Sequence, residues 1–290
     1  MTSDQNIRLT ECPRDAMQGM PNFVPTGDKI KYLNSLLKVG FDILDFGSFV
    51  SPRAIPQLRD TVEVLKNLDL ENTNTNLLAI IGNMRGAAEA AEYDEITYLG
   101  FPFSISDTFL RMNINSSVDK AFGQCHDFLE LCDKKGKKLM IYFSMAFGNL
   151  YGDPWSADLV ANWVHLLQRN GAMEINLSDT IGVSTAESVT EVFNVLVDEF
   201  PKVNFGFHLH SRLDNWYDKI DGAYKAGCRS FDGVLSGKGG CPMTGSAMVE
   251  NMHMKSLVHY FDEKKVDLNI NRDELNNAYD IAFSVLAENI

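Results

Sequence analysis

Short, almost unbroken apolar runs alternate with amphipathic stretches along the whole chain, and that alternation admits few folds. Strand-length runs are predicted at 7–10, 42–46, 77–81, 96–101, 138–145, 174–177, 203–208 and 230–235. Helical spacing is predicted at 27–38, 58–68, 85–92, 118–134, 157–169, 186–199, 216–226 and 248–261, with one more helix at 272–288. Leu77-Leu78-Ala79-Ile80-Ile81 typifies the strands: it is apolar on both faces. Strands of that kind belong in parallel sheets covered by helices. Eight such units in 290 residues fit an α/β fold of the (β/α)8, or TIM, barrel type with an extra C-terminal helix. No G-x-G-x-x-G follows the first strand, which removes the main argument for an open dinucleotide-binding sheet. Composition does not break anywhere, so residues 1–290 read as a single barrel domain.

Charge narrows the partners. A formal net charge of −13 argues against nucleic acid and against anionic membrane surfaces, both of which call for basic surface. An anionic small molecule stays compatible, because a pocket can be locally basic on an acidic protein. The five cysteines (Cys12, Cys125, Cys132, Cys228 and Cys241) are odd in number and have no paired spacing, which fits reduced thiols better than a disulfide framework. No apolar run approaches the roughly 20 residues that span a bilayer. The first nine residues carry neither a signal core nor a basic transit segment. Together these features predict a soluble cytoplasmic protein.

Barrels of this type carry their chemistry at the carboxyl ends of the strands. Reading only those ends gives Glu11, Arg14, Asp15 and Gln18 after the first strand, and Asp45 and Ser48 after the second. Asp179 and Thr180 follow the sixth, and His208 and His210 the seventh. The eighth leads into Lys238-Gly239-Gly240-Cys241, with Asn251 further on. Residues two apart on a strand share a face, so His208 and His210 project side by side. Two neutral imidazoles there can hold a divalent metal, or can be satisfied by core hydrogen bonds; the spacing admits both. Asp15 would add a carboxylate. A mixed nitrogen and oxygen set with open positions suits Mg²⁺, Mn²⁺ or Co²⁺ better than Zn²⁺. The glycines around Lys238 read either as a loop that brings Cys241 over the pocket or as an ordinary strand-to-helix turn. Cys125, Cys132 and Cys228 read as core packing. His126, His165, His253 and His259 fall in helical patterns and read as packing or surface residues.

Five motifs now stand in order: Cys12-Pro13-Arg14-Asp15-Ala16-Met17-Gln18, Ser48-Phe49-Val50-Ser51-Pro52, Ser178-Asp179-Thr180-Ile181-Gly182, His208-Leu209-His210 and Gly239-Gly240-Cys241-Pro242. In order and spacing the set resembles the 3-hydroxy-3-methylglutaryl-CoA lyase family, over about residues 7–261. The resemblance implies a metal-dependent (β/α)8 lyase that cleaves that acyl-CoA to acetyl-CoA and acetoacetate, acting as a homodimer. It implies Asp15, His208, His210 and Asn251 as ligands of Mg²⁺ or Mn²⁺. Arg14 matches the arginine that neutralises a substrate oxygen, Cys241 the loop cysteine that acts as an acid, and Asp179 a further active-site acid. Sister reactions on the same barrel, a Claisen-type acyl-CoA synthase or a 2-oxo-acid aldolase, are the alternative.

The residue types suit a retro-Claisen cleavage. A permanently cationic arginine fork stabilises developing oxyanion charge. A thiol with an ordinary pKa of roughly 8.5 is a reasonable proton donor to an enolate. Gln18, Ser48 and Lys238 are candidates for substrate contact. The chain also departs from the family pattern. Asp45 stands where a glutamate is usual, and Ser211 replaces an aspartate after the second histidine. Glu250 precedes Asn251 where glycine is common, the register there needs a gap, and either residue could complete the metal shell. Lys238 sits where a bulky apolar residue is frequent.

Overall fold

The computed structural model describes residues 6–237, 239 and 249–287, so Lys238 and Cys241 lie outside the described residues. Eight parallel strands form the centre: β1 (Arg8–Glu11), β2 (Ile43–Ser48), β3 (Asn76–Ile80), β4 (Ile96–Ser104), β5 (Lys138–Ser144), β6 (Glu174–Asp179), β7 (Asn204–Ser211) and β8 (Ser230–Gly233). Each pairs with the next, and β8 pairs with β1, so the sheet closes into a barrel. The outer ring is α2 (Thr26–Val39), α3 (Thr61–Leu65), α4 (Met84–Ala90), α6 (Val118–Lys135), α7 (Ala157–Arg169), α8 (Ala186–Glu199), α9 (Trp216–Lys225) and α10 (Met254–Glu263). A last helix, α11 (Arg272–Ala287), packs against α2. The expected TIM barrel and its extra C-terminal helix are both present.

Local chemistry explains the helix ends. The hydroxyls of Ser117, Ser156 and Thr185 accept backbone N–H groups of the first turns of α6, α7 and α8. Gly40 and Gly136 end α2 and α6 in the left-handed conformation. The main core lies between strands and helices, where Phe101, Phe143, Phe193, Phe207 and Phe231 are fully buried. A smaller cluster of Ile43, Leu78, Ile80, Tyr98, Met140 and Tyr142 fills the barrel itself. Arg8 and Glu174 form a salt bridge of 2.7 Å at the opposite end from the candidate residues. Among the described residues, no helix is long and apolar enough to cross a membrane.

Three stretches differ from expectation. The helix predicted at 58–68 is a 3-10 turn at Pro56–Leu58 followed by the short α3. Beyond it side chains take over the backbone groups: Asn67 donates to the Glu63 carbonyl, and the Asp69 N–H donates to Asn34. Two further short helices, α1 (Pro13–Gln18) and α5 (Asp107–Ile114), occupy loops after β1 and β4. The helix predicted to begin at 248 begins at Met254 instead. Before it, Glu250–Asn251 forms a two-residue strand, β9, antiparallel to the end of β7. His253 therefore precedes α10, in a bridge to Val234, and is not inside a helix.

Glu11, at the end of β1, is fully buried, and its Oε1 accepts the Leu235 N–H at 2.8 Å. Burial raises its pKa well above the usual carboxylate value, outweighing that bond. The unfolded chain releases this proton near pH 4.3. Above that pH the folded state retains a proton that the unfolded state has lost, so the glutamate subtracts stability as pH rises. Glu11→Gln keeps the acceptor and does not titrate. Its melting temperature relative to wild type should therefore climb between pH 5 and pH 8; parallel profiles across that range would refute the buried-acid reading.

Candidate active site at the carboxyl ends of the strands

Pro13 occupies the first position of α1, where its missing N–H costs nothing, and the chain turns into the helix straight after β1. Arg14 and Gln18 are four apart and Asp15 and Gln18 three apart, so all three side chains meet over the barrel mouth. Arg14 Nη1 donates to Asp15 Oδ1 at 3.0 Å and to Gln18 Oε1 at 2.9 Å. Gln18 Nε2 donates to the same Asp15 oxygen at 2.6 Å. The other face of Arg14 grips Asp45 on β2, with Nη2 to Oδ2 at 2.6 Å and Nε to Oδ2 at 2.9 Å. Asn251 Nδ2 donates to Asp15 Oδ2 at 2.7 Å.

His208 and His210 lie side by side on β7, as their spacing required. His208 Nδ1–H donates to Asp232 Oδ2 at 3.1 Å, and Asp232 in turn accepts from Asn176 at 3.0 Å. His210 Nδ1–H donates to the Thr180 carbonyl at 2.9 Å. Both Nε2 atoms therefore point to the mouth, and they stand 3.1 Å apart. Two lone pairs at that distance repel unless a proton or a cation lies against them. Asp15, His208 and His210 bring their ligand atoms within 4.8 Å of one another. This is a carboxylate with two imidazoles whose free nitrogens converge, and a divalent metal fits it. The same limit groups Cys12, His208 and Asp232, but there the His208 Nδ1 is already committed to Asp232.

Electrostatics follow from burial and pairing. Burial opposes the charge on Arg14, but Asp45 and Asp15 outweigh it and raise its pKa. Burial works to raise the Asp15 carboxyl, yet Arg14, His208, His210 and Asn251 together hold it below the usual range. Burial lifts Asp45 to about 6 against the pull of Arg14. The imidazoles diverge. Burial and the neighbouring His208 lower His210 to about 4, whereas Asp232 overcomes burial and raises His208.

The cluster opens into a cavity of about 210 Å³. Arg14, Asp15, Gln18, His208 and His210 form its polar wall, and Val50, Ile55, Ile80, Pro102 and Ile114 its apolar wall. Asn251 and Glu250 separate cleanly. Asn251 pairs with His210 and is buried, while Glu250 pairs with Ser211 and is exposed, as alternation on a strand requires. Asp45 and Asn251 bond to Arg14 and Asp15 without lining the cavity, and Ser48 and Asp179 also stand apart from it. Ser48 is buried, with its hydroxyl donating to the Ile80 carbonyl and accepting the Val50 N–H. Asp179 Oδ1 accepts the Val183 N–H at 2.9 Å, and its Oδ2 accepts the Ser184 N–H and hydroxyl at 3.1 and 2.5 Å.

Sequence reasoning missed Asp232, Tyr142 and Ser144, and it named Ser178 only as part of a motif. Tyr142 lines the cavity and meets the His208 ring edge-on, with centroids 5.7 Å apart. Ser144 and Ser178 also line it, at strand ends where the period-2 pattern could have marked them. Asp232 was legible only as a lone carboxylate in an apolar run. An orienting partner of a metal-bound histidine typically contributes about 10- to 100-fold to metal affinity. Asp232→Ala should weaken Mn²⁺ binding by that factor in a calorimetric titration, and an unchanged affinity would count against the metal site.

Comparison with known proteins agrees with this geometry. The sequence profile of the HMGL-like family matches residues 7–281. The chain is 29% identical to the mitochondrial hydroxymethylglutaryl-CoA lyase of Bos taurus over 96% of its own length and 85% of the relative's. The solved HMG-CoA lyase of Bacillus subtilis superposes with a TM-score of 0.91 at 27% identity, covering 99% of this chain and 96% of that one. An HMG-CoA lyase from Acinetobacter baumannii, solved with coenzyme A and 3-methylmalate, superposes with a TM-score of 0.90 at 27% identity, covering 99% and 93%. On a profile match that spans nearly the whole barrel, the chain belongs to the HMGL-like family.

Proposed function

We propose that this chain is a carbon–carbon lyase that cleaves 3-hydroxy-3-methylglutaryl-CoA to acetyl-CoA and acetoacetate with the help of Mg²⁺ or Mn²⁺. One observation carries the reading: Arg14, Asp15, His208 and His210 share one cavity wall, with both histidine Nε2 atoms facing the mouth. Asp15, His208 and His210 would hold the metal, with Asn251 as the fourth protein ligand beside Asp15. When bound, a divalent ion lowers the pKa of a substrate hydroxyl and neutralises charge on an adjacent oxygen.

The chain's own residues do the rest. Arg14 is fixed on one side by Asp45 and on the other by Gln18, so its guanidinium needs no reorganisation to meet an oxyanion at the cavity wall. Asp15 lies at the cavity wall as the candidate acceptor of a hydroxyl proton; its lowered pKa makes it a weak base, so the hydroxyl's own pKa must fall for the transfer. The apolar wall of Val50, Ile55, Ile80 and Pro102 excludes water from the enolate that forms. Cys241, which follows β8 in the sequence, remains the candidate proton donor to that enolate by resemblance. Lys238 is a candidate contact for the acyl-CoA. Ser48 and Asp179 support the site from outside the cavity. The same resemblance supports a homodimer, and the buried free thiols Cys12, Cys125, Cys132 and Cys228 fit a reducing compartment such as the cytoplasm.

The test uses metal-stripped protein, 3-hydroxy-3-methylglutaryl-CoA and either Mg²⁺ or Mn²⁺, with acetoacetate as the readout. Metal-dependent release is expected. No release from protein shown to bind the metal would reject the reaction, and condensation of acetyl-CoA with a 2-oxo acid would point to the synthase alternative.

A further inference from the structure

Lys219 is a buried lysine with no place in the chemistry above. It lies on α9, directly after the strand that carries both histidines, and is 3% exposed. Its Nζ lies 3.4 Å from Asp179 Oδ2 and 3.5 Å from the Gly182 carbonyl. It therefore holds both the carboxylate at the end of β6 and the turn that follows it. Asp179, at 1% exposure, uses its oxygens on the Val183 and Ser184 N–H groups and the Ser184 hydroxyl. Between the two anchored points sits Thr180, whose carbonyl accepts His210 Nδ1–H and whose hydroxyl accepts the Met145 N–H at 3.0 Å. Gly222 sets the reach of Lys219. A Cβ there would come within 2.6 Å of Thr190 Oγ1 and 3.1 Å of the Ala186 carbonyl on α8, so glycine lets α9 close on the β6 side of the barrel.

From this geometry we infer that Lys219 and Asp179 are a positioning pair: they clamp the 179–184 turn so that the Thr180 carbonyl fixes the His210 tautomer and leaves Nε2 free to bind metal. The inference rests on reading Asp15, His208 and His210 as the metal site. It moves Asp179 from the role of acid to that of anchor. The Asp179 oxygens are engaged by two backbone N–H groups, a hydroxyl and an ammonium, and the residue does not line the cavity. Lys219→Met keeps the aliphatic stem and removes the ammonium. Without it the turn loses its hold on α9, the Thr180 carbonyl drifts, and His210 samples the tautomer that places its proton on Nε2.

The first readout is the ¹⁵N spectrum of the His210 ring in metal-free protein. Wild type should show one tautomer, protonated on Nδ1, and Lys219→Met a mixture. The second is Mn²⁺ affinity, expected to fall about 10- to 100-fold, the range for loss of an outer partner of a ligating histidine. Lys219→Arg should restore both, which a lysine needed only for packing would not. A wild-type His210 spectrum in Lys219→Met would overturn the inference whether or not metal binds. If wild type shows the single tautomer but binds no Mn²⁺, the metal reading fails and the clamp survives. Should Lys219→Met not fold, Lys219→Met/Asp179→Asn leaves no unpaired buried charge, and retention of the single tautomer there would equally reject the clamp.

Discussion

His210→Ala is expected to lower acetoacetate release by about 10³-fold or more and to abolish Mn²⁺ retention on desalting. A metal that neutralises substrate charge contributes several kcal/mol at the transition state, and each 1.36 kcal/mol is a factor of ten. His210 is the ring to remove first. Burial and His208 hold it neutral, with a pKa of about 4, so it enters the site as a ready ligand. His208 has Asp232 behind it, and its loss would strand that carboxylate as well. Turnover within tenfold of wild type, in a variant that melts as a single transition, would place the metal elsewhere or show that none is used.

Arg14→Met should lose activity and stability together. Removing one preorganised oxyanion partner costs about 10²- to 10³-fold in kcat. Removing the partner of a buried carboxylate costs about 3–5 kcal/mol of stability, and Arg14 pairs with two, Asp45 at 2.6 Å and Asp15 at 3.0 Å. The two effects separate in Arg14→Met/Asp45→Asn. With no charge left opposite the methionine at the β2 position, much of the stability should return by chemical denaturation while kcat stays low. Recovery of both would mean that Arg14 serves only to neutralise Asp45.

The barrel was legible because parallel strands buried on both faces leave continuous apolar runs, and because caps such as Ser156 and Thr185 sit where the helical periodicity starts. α7 and α8 match their predicted spans for that reason. α1 was illegible because six residues are too few to display a helical stripe, and its buried side chains mix Arg14 and Asp15 with Ala16 and Met17. β9 was illegible because two residues cannot display a period. The pairing of His208 with His210 came directly from strand alternation. What alternation cannot say is which ring nitrogen faces the mouth. That is fixed by Asp232 and the Thr180 carbonyl, one from a neighbouring strand and one from a turn, and neither is adjacent in sequence. The motif around Asp179 marked an important position. Asp179 is buried against Lys219 on α9 and does not line the cavity.

β9 has a consequence for how this site can change. Asn251 is set in place by its ladder partner His210, and not by its distance along the chain from Cys241. Residues added to or removed from the intervening segment therefore need not displace the amide, which fits the gap that the resemblance calls for there. A slip of one residue in that ladder is a different event, because it exchanges the two faces of a strand. It would turn Glu250 inward and Asn251 outward, giving the cluster a second carboxylate in place of a neutral amide. The short ladder thus acts as a ruler: loop length is free to drift, while a single-step edit resets the net charge presented to a cation.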